Sequence, residues 1–333
     1  MQANTYESPA DNLESVMDSL TILEPEGTPF ASMVKKGTAS AVFTETTADT
    51  LRSARILGTR EGKNAAGGNN KANKRRRFGN YVHRVFDEWG VTDTQQAVTK
   101  RGGNAVTDDE YGYGKAKCLR EIKRDIEAIC LSNQEMQGGT DDEMLTRGFF
   151  KWVQASAQGT QPVPSEFRPP SASILSGIGT SVPLFTEAQF NTVLKSIKGV
   201  YGSKQNLQCL AGADVIETVD NFSRVNANAT NVRYTVSENA GDKQITLMVT
   251  VFDSSFARVE MMPDDFVRFG SSSTTGETNA AALVNREHWE LQWLEDLVSK
   301  DMEDEGGGPW GWIRGQFGNM CKNPKGQGAI YNT

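Results

Sequence analysis

The chain has 333 residues, long for one domain and comfortable for two. Hydrophobic residues make up 37% and aromatic residues 8%, enough for a core but thin for that length, and 32 glycines predict much irregular or extended structure. The formal net charge is −7, and no apolar run approaches the ~18 residues that a membrane-spanning helix needs, which excludes one. No basic, apolar leader is read at the start. The four cysteines (Cys118, Cys130, Cys209, Cys321) form no C-x-x-C, and Cys118 and Cys130 fall in one helical pattern about 18 Å apart, too far to bridge. They read as small core residues of a protein kept in a reducing compartment.

In chain order, residues 11–23 open with an Asp11-x-x-Glu14 box, and Leu13, Val16, Met17 and Leu20 recur at helical spacing. Pro25, Gly27 and Pro29 break that helix, which needs another surface to lie on. From about 37 to 104, β-prone runs at 39–47 and 80–98 flank a Gly/Asn-rich middle at 61–74: two extended strands joined by a long tip. Between 52 and 84 ten Lys and Arg residues, including Lys71, Lys74, Arg75, Arg76 and Arg77, meet one acid, Glu61. A local charge of +9 with few large apolar residues does not fold comfortably on itself.

Residues 108–133 give the strongest helix, with Tyr111, Leu119, Ile122, Ile126 and Ile129 along one stripe and Lys117–Glu121 and Lys123–Glu127 pairs on the other side. A shorter helix is predicted over 145–156, before the Pro-rich loop 161–170. Residues 184–202 carry both ends of a helix: a Thr186/Gln189 capping box, a Phe185/Phe190 hydrophobic staple and a Gly202 stop. A buried strand at 207–212, a helix at 213–224 and strands at 232–237, 243–252 and 256–262 follow. Residues 287–305 hold eight acids against one Lys and read as helix-like around His288 and Trp289. The fold class is α+β, with mixed sheets, one long helix and no internal repeat.

Catalytic chemistry finds no foothold. The two histidines, His83 and His288, sit in no metal-binding spacing, and there is no phosphate loop and no G-x-S-x-G. The Asp-Asp pairs at 108–109, 141–142 and 264–265 fall at helix starts or turns, where carboxylates cap. No catalytic, metal or cofactor-binding residue is assigned, and the protein is not expected to be an enzyme.

Three readings of the basic run stay open. Its charges could neutralise phosphates, with Phe78 and Tyr81 stacking on bases, as a DNA-binding protein using the hairpin 52–84 would. They could meet an acidic surface on another copy of the chain, which also gives the acidic stretch a role. They could simply be solvated. Reach favours the second: a body of about 230 residues is on the order of 45 Å across, whereas ~30 extended residues span up to ~100 Å. An arm that leaves its own body rests on a neighbour or stays disordered.

The order of parts resembles the major capsid proteins of tailed bacteriophages with the Hong Kong 97-like (HK97-like) fold, in the family lacking a fused scaffolding segment. DSLTILEPEGTPFASMVKKGTASAVFTETTADTL (18–51), with its Thr28-Pro29-Phe30 turn, looks like that family's arm-to-loop signature. GNYVHRVFDEWGVTDTQQAV (79–98) resembles the returning strand, and LREIKRDIEAICLSN (119–133) the spine-helix motif around Asp125-Ile126-Glu127. KNPKGQGAI (322–330) is similar to the closing strand after an Asn-Pro turn; Thr46 departs, standing where relatives carry Trp. The resemblance implies an N-terminal arm (1–36), an extended loop or E-loop (37–104), a P-domain with the spine helix (105–170) and an A-domain with returning P-domain strands (171–333). It implies a subunit that assembles into hexamers and pentamers of an icosahedral head around double-stranded DNA, without cofactor or membrane; scaffolding, portal and decoration proteins are its further possible partners. The expected inter-subunit contacts are Leu13, Val16, Met17 and Leu20 in the arm, Lys71, Lys74, Arg75, Arg76, Arg77 and Phe78 in the ribbon, and Phe43, Tyr81, Val85 and Trp89 at its base.

Overall fold

A computed structural model of the chain describes residues 27–51, 75–97, 110–139, 143–157, 159, 161–222, 251–270, 277–304 and 306–332. The expected helix at 11–23, the ribbon tip with Lys71 and Lys74, the strand at 232–237 and most of that at 243–252 lie outside these residues.

The first described helix, α1 (Pro29–Met33), begins where the sequence suggested only a break. Pro29 occupies the first helical turn, where its missing N–H is not needed. Strand β1 (Lys35–Thr38) follows, then β2 (Phe43–Ala48), β3 (Arg76–Tyr81) and β4 (His83–Gly90). The strand expected to run on to residue 98 stops at Gly90. The Thr92 hydroxyl accepts the Gln95 N–H at 3.3 Å and starts the one-turn helix α2 (Asp93–Ala97) instead.

Helix α3 (Glu110–Cys130) is the long helix foreseen, and its Lys117–Glu121 pair is present at 3.7 Å. The Lys123–Glu127 pair is not: Glu127 is fully buried, on the inward face of the helix. The helix expected over 145–156 contracts to α4 (Phe149–Trp152). Three of its four residues, Phe149, Phe150 and Trp152, are buried, so no polar face exists to extend an amphipathic pattern. Gly148 packs against the Ser132 carbonyl, where a β-carbon would not fit.

After β5 (Ile174–Ser176), helix α5 (Glu187–Tyr201) has the ends its sequence encodes. Thr186 and Gln189 form the reciprocal capping box, the Phe185 and Phe190 rings stack at 5.8 Å, and Gly202 takes the left-handed conformation at φ 72°. Then come β6 (Gln205–Ala211), α6 (Ala213–Asn221), β7 (Val251–Asp253), β8 (Ala257–Pro263) and β9 (Ala281–Val284).

Apart from a single 3₁₀ turn at Arg286–His288, the acidic stretch is a strand, not a helix. Strand β10 (Trp289–Met302) lies between β1, which runs parallel to it with Lys35 opposite Glu290, and β11 (Trp310–Cys321). The alternation of buried Trp289 and Leu291 with less buried Glu290 and Gln292 carries the two-residue period that the density of acids obscured. At the β10–β11 turn, Asp304 Oδ1 accepts the N–H groups of Gly306, Gly307 and Gly308 at 2.8, 3.1 and 3.0 Å. Those bonds hold its carboxyl below the usual range, and Gly306 and Gly308 (φ 95° and 116°) adopt backbone that favours glycine. A short 3₁₀ turn after Asn323 leads into β12 (Gly328–Tyr331), the closing strand.

Among the described residues the strands form three sheets: β1-β10-β11-β4, β5-β12-β9-β6-β8-β7 and the two-stranded β2-β3. The chain divides into two compact units. Among the described residues, the smaller holds residues 86–97, 110–122, 298–304 and 306–314. Trp89 there is buried against the Tyr111 ring at 5.7 Å, with the Lys115 ammonium 5.5 Å over its face. The larger holds the six-stranded sheet, whose core joins Phe190, Leu194 and Ile197 of α5 to Leu207, Val259 and Leu283 of the strands. All four cysteines are buried and unbridged. Burial pushes the Cys209 thiol up to about 12 and the Cys130 and Cys321 thiols upward as well.

Candidate assembly surface

The root of the basic ribbon is the antiparallel β2–β3 pair, in register from Phe43 opposite Tyr81 to Ala48 opposite Arg76. Phe43 and Tyr81 are half-buried, with ring centroids 4.7 Å apart. The Phe43 ring also covers Gly79, where a β-carbon would run into the Thr44 carbonyl. One residue earlier Phe78 is buried, 6.0 Å from Trp152 and 5.7 Å from Phe167.

The strongest fastening is a residue that sequence reasoning passed over. Asn80 is fully buried, and its side-chain amide donates to Thr146 Oγ1 at 2.8 Å and to the Asn319 carbonyl at 2.7 Å. Its Oδ1 accepts the Arg147 N–H at 2.8 Å. The Asn319 carbonyl also accepts the Trp152 indole N–H at 3.0 Å. Arg147 is itself buried, bound to Glu135 and to the Gln161 carbonyl, with its guanidinium 5.0 Å over Trp152. The available signal was an Asn inside a β-prone run, where that residue type is disfavoured unless its amide is used.

Of the expected contact residues, the described structure brings Phe43, Phe78 and Tyr81 together at the root and buries Val85 on β4. Trp89 belongs to the core of the smaller unit. Arg75, Arg76 and Arg77 are exposed, each 3.9 Å from an acid of its own chain: Asp49, Glu166 and Glu45. Exposed pairs at that separation contribute little and exchange readily for other partners. Leu13, Val16, Met17, Leu20, Lys71 and Lys74 lie outside the described residues.

The charge is sharply partitioned. Residues 52–84 carry +9, and since the whole chain carries −7, the remaining residues carry −16. Of the two histidines, burial lowers the pKa of each; His83 lies 5.9 Å from the Phe317 ring and His288 stacks on Tyr201. Among the described residues no group of His, Cys, Asp and Glu could hold a metal ion, and no helix is long and apolar enough to cross a membrane.

Nothing among curated proteins matches the sequence. Solved structures similar in fold include the capsid asymmetric unit of Cyanophage A-1(L), at 14% identity and a TM-score of 0.67 over 98% of each chain. The capsid of Cyanophage P-SCSP1u is similar at 11% identity and a TM-score of 0.61, over 98% of this chain and 94% of that one. The capsid of a native GTA particle matches at 9% identity and a TM-score of 0.57, over 98% and 97%. The SU10 major capsid protein family matches residues 1–333. With its HK97-like α+β fold and that full-length match, the chain belongs to the SU10 major capsid protein family and is a structural protein of the phage virion, not an enzyme.

Proposed function

We propose that the ribbon between β2 and β3 is the arm by which each capsid subunit grips its neighbour, closing hexamers and pentamers into a head around double-stranded DNA. The single observation that carries this reading is the partition of charge, +9 on residues 52–84 against −16 on the rest of the same chain. Two copies placed so that the ribbon of one lies on the body of the next gain complementary potentials, and a repeated contact between unlike surfaces closes rings. Phe43, Phe78, Tyr81, Val85 and Trp89 serve by holding the arm's base and the strand that returns from it. Arg75, Arg76 and Arg77 trade their weak in-chain pairs for acids of the neighbour, and Lys71 and Lys74 meet acids there too. Leu13, Val16, Met17 and Leu20 pin the N-terminal arm (1–36) beneath an adjacent subunit. The division into E-loop (37–104), P-domain (105–170) and A-domain (171–333) belongs to the same proposal.

Screening tests it. Raising salt from about 0.1 M to about 1 M shortens the reach of electrostatics from ~10 Å to ~3 Å. Shell assembly from purified subunits, followed by light scattering, should slow at least tenfold over that range. Assembly at an unchanged rate would contradict a charge-driven grip. Tight, salt-sensitive binding of duplex DNA by the unassembled subunit would instead favour the ribbon as a nucleic-acid site.

A further inference from the structure

Helix α1 starts at Pro29, within the proposed N-terminal arm (1–36), and what fastens it is buried carboxyl chemistry. Both oxygens of Glu127 are used: Oε1 accepts the Phe30 N–H at 2.6 Å and Oε2 the Ala31 N–H at 2.8 Å. Phe30 is fully buried, with its ring edge-on to Trp289 at 5.6 Å. Beside Glu127 lies a second buried acid, Asp264, close enough that the two carboxyls interact electrostatically. Asp264 Oδ1 accepts the Phe266 N–H at 2.8 Å, and its buried Oδ2 accepts no hydrogen bond. The other ionisable groups around the pair are Asp265 beside Asp264, and on α3 the Cys130 thiol and Arg124, whose guanidinium lies 5.7 Å over the Phe266 ring. Helix α1, Pro29–Met33, brings no ionisable group.

Two carboxylates in contact and out of water cannot both ionise cheaply. We propose that Glu127 and Asp264 share one proton, and that this proton is a clasp: it holds α1, and with it the chain that follows residues 1–26, and its loss loosens that turn.

The sign of the pH effect follows. Burial raises both carboxyls, Asp264 adding to the rise of Glu127, to about 8, and Asp265 to that of Asp264, whereas in the opened chain both ionise in the ordinary carboxylate range. The closed turn therefore binds a proton that the open one lacks. The clasp is fully effective at the acid end of that window, weakens by up to tenfold per pH unit as pH rises through it, and is spent above about 8.

Hydrogen exchange on the full-length, unassembled subunit tests this one chain at a time, so its outcome does not depend on whether the ribbon grips a neighbour. Protection of the Phe30 and Ala31 amides, corrected for intrinsic exchange, should fall at least tenfold between about pH 6 and about pH 9, while that of α5 does not. Asp264→Asn, which removes the second carboxyl and with it the shared proton, should abolish the pH dependence. Protection that ignores pH in the wild type, or a dependence that survives in D264N, would overturn the proposal. Should D264N fail to fold, the wild type still decides: its infrared difference spectrum over the same range should show the loss of a protonated-carboxyl band, and no such band would overturn the clasp.

Discussion

Excising residues 52–74 and joining Leu51 to Arg75 through an Asn-Gly turn should yield a subunit that folds and melts within a few degrees of the parent but forms no closed shells. The cut removes six basic residues and one acid, Arg52, Arg55, Arg60, Lys63, Lys71, Lys74 and Glu61, and with them most of the ribbon's charge. It spares what holds the root: the β2–β3 register, the Phe43–Tyr81 contact, Phe78 in its aromatic pocket and the Asn80 amide. With the register kept, Thr50, Leu51 and the inserted Asn-Gly form a four-residue loop, a common hairpin length. Fold and assembly thus separate in one variant. Electron microscopy and sedimentation read assembly, and thermal melting reads the fold; normal particles would exclude the ribbon as an assembly element.

The second large effect is predicted at Asn80. Asn80→Leu keeps the number and branching of side-chain heavy atoms but leaves the Arg147 N–H and the Thr146 hydroxyl each short of a buried hydrogen bond, with the Asn319 carbonyl losing one of its two donors. Each unsatisfied buried group costs about 1–3 kcal/mol, so the subunit should lose about 3–5 kcal/mol in denaturant unfolding. That is a large share of the stability of most domains. Because the lost bonds tie β3 to β11 and to residues 146–147, the ribbon root should exchange its amides faster than α5 does. A loss below about 1 kcal/mol would mean that the amide is only a space-filler.

How much was legible depended on where the deciding interactions lie. Helix α5 was read to both ends because its capping box, staple and glycine stop are all local in sequence. The two strands at the ribbon root and the long α3 were readable from period alone. Strand β1 was not: KKGT is mostly exposed and carries no apolar alternation, and it is a strand because β10 lies beside it, 255 residues along at Lys35–Glu290. Strand β10 was mistaken for a helix because acids and tryptophans crowd it, and its ladder to β1 outweighs local preference. Pattern reading also assumes that a charged residue on a helix faces water. Glu127 violates that rule because it serves the N–H groups of α1, 97 and 96 residues away, with a second acid buried beside it.

For the assembly surface, charge was the legible part. The run of basic residues against an acidic chain needs no structure to notice, and it points to an opposite partner without saying which residues form it. The fastenings were illegible because they are single polar residues, Asn80, Arg147 and Glu127, whose partners are far off in sequence and become neighbours only in the fold.

The most direct measurement of the central claim is a cryo-electron microscopy map of the assembled particle in which residues 52–74 can be traced. The grip between copies predicts those residues lying on an adjacent subunit, their lysines and arginines within ion-pair distance of its acids. A trace in which they fold back on their own chain and touch no sister subunit would contradict it.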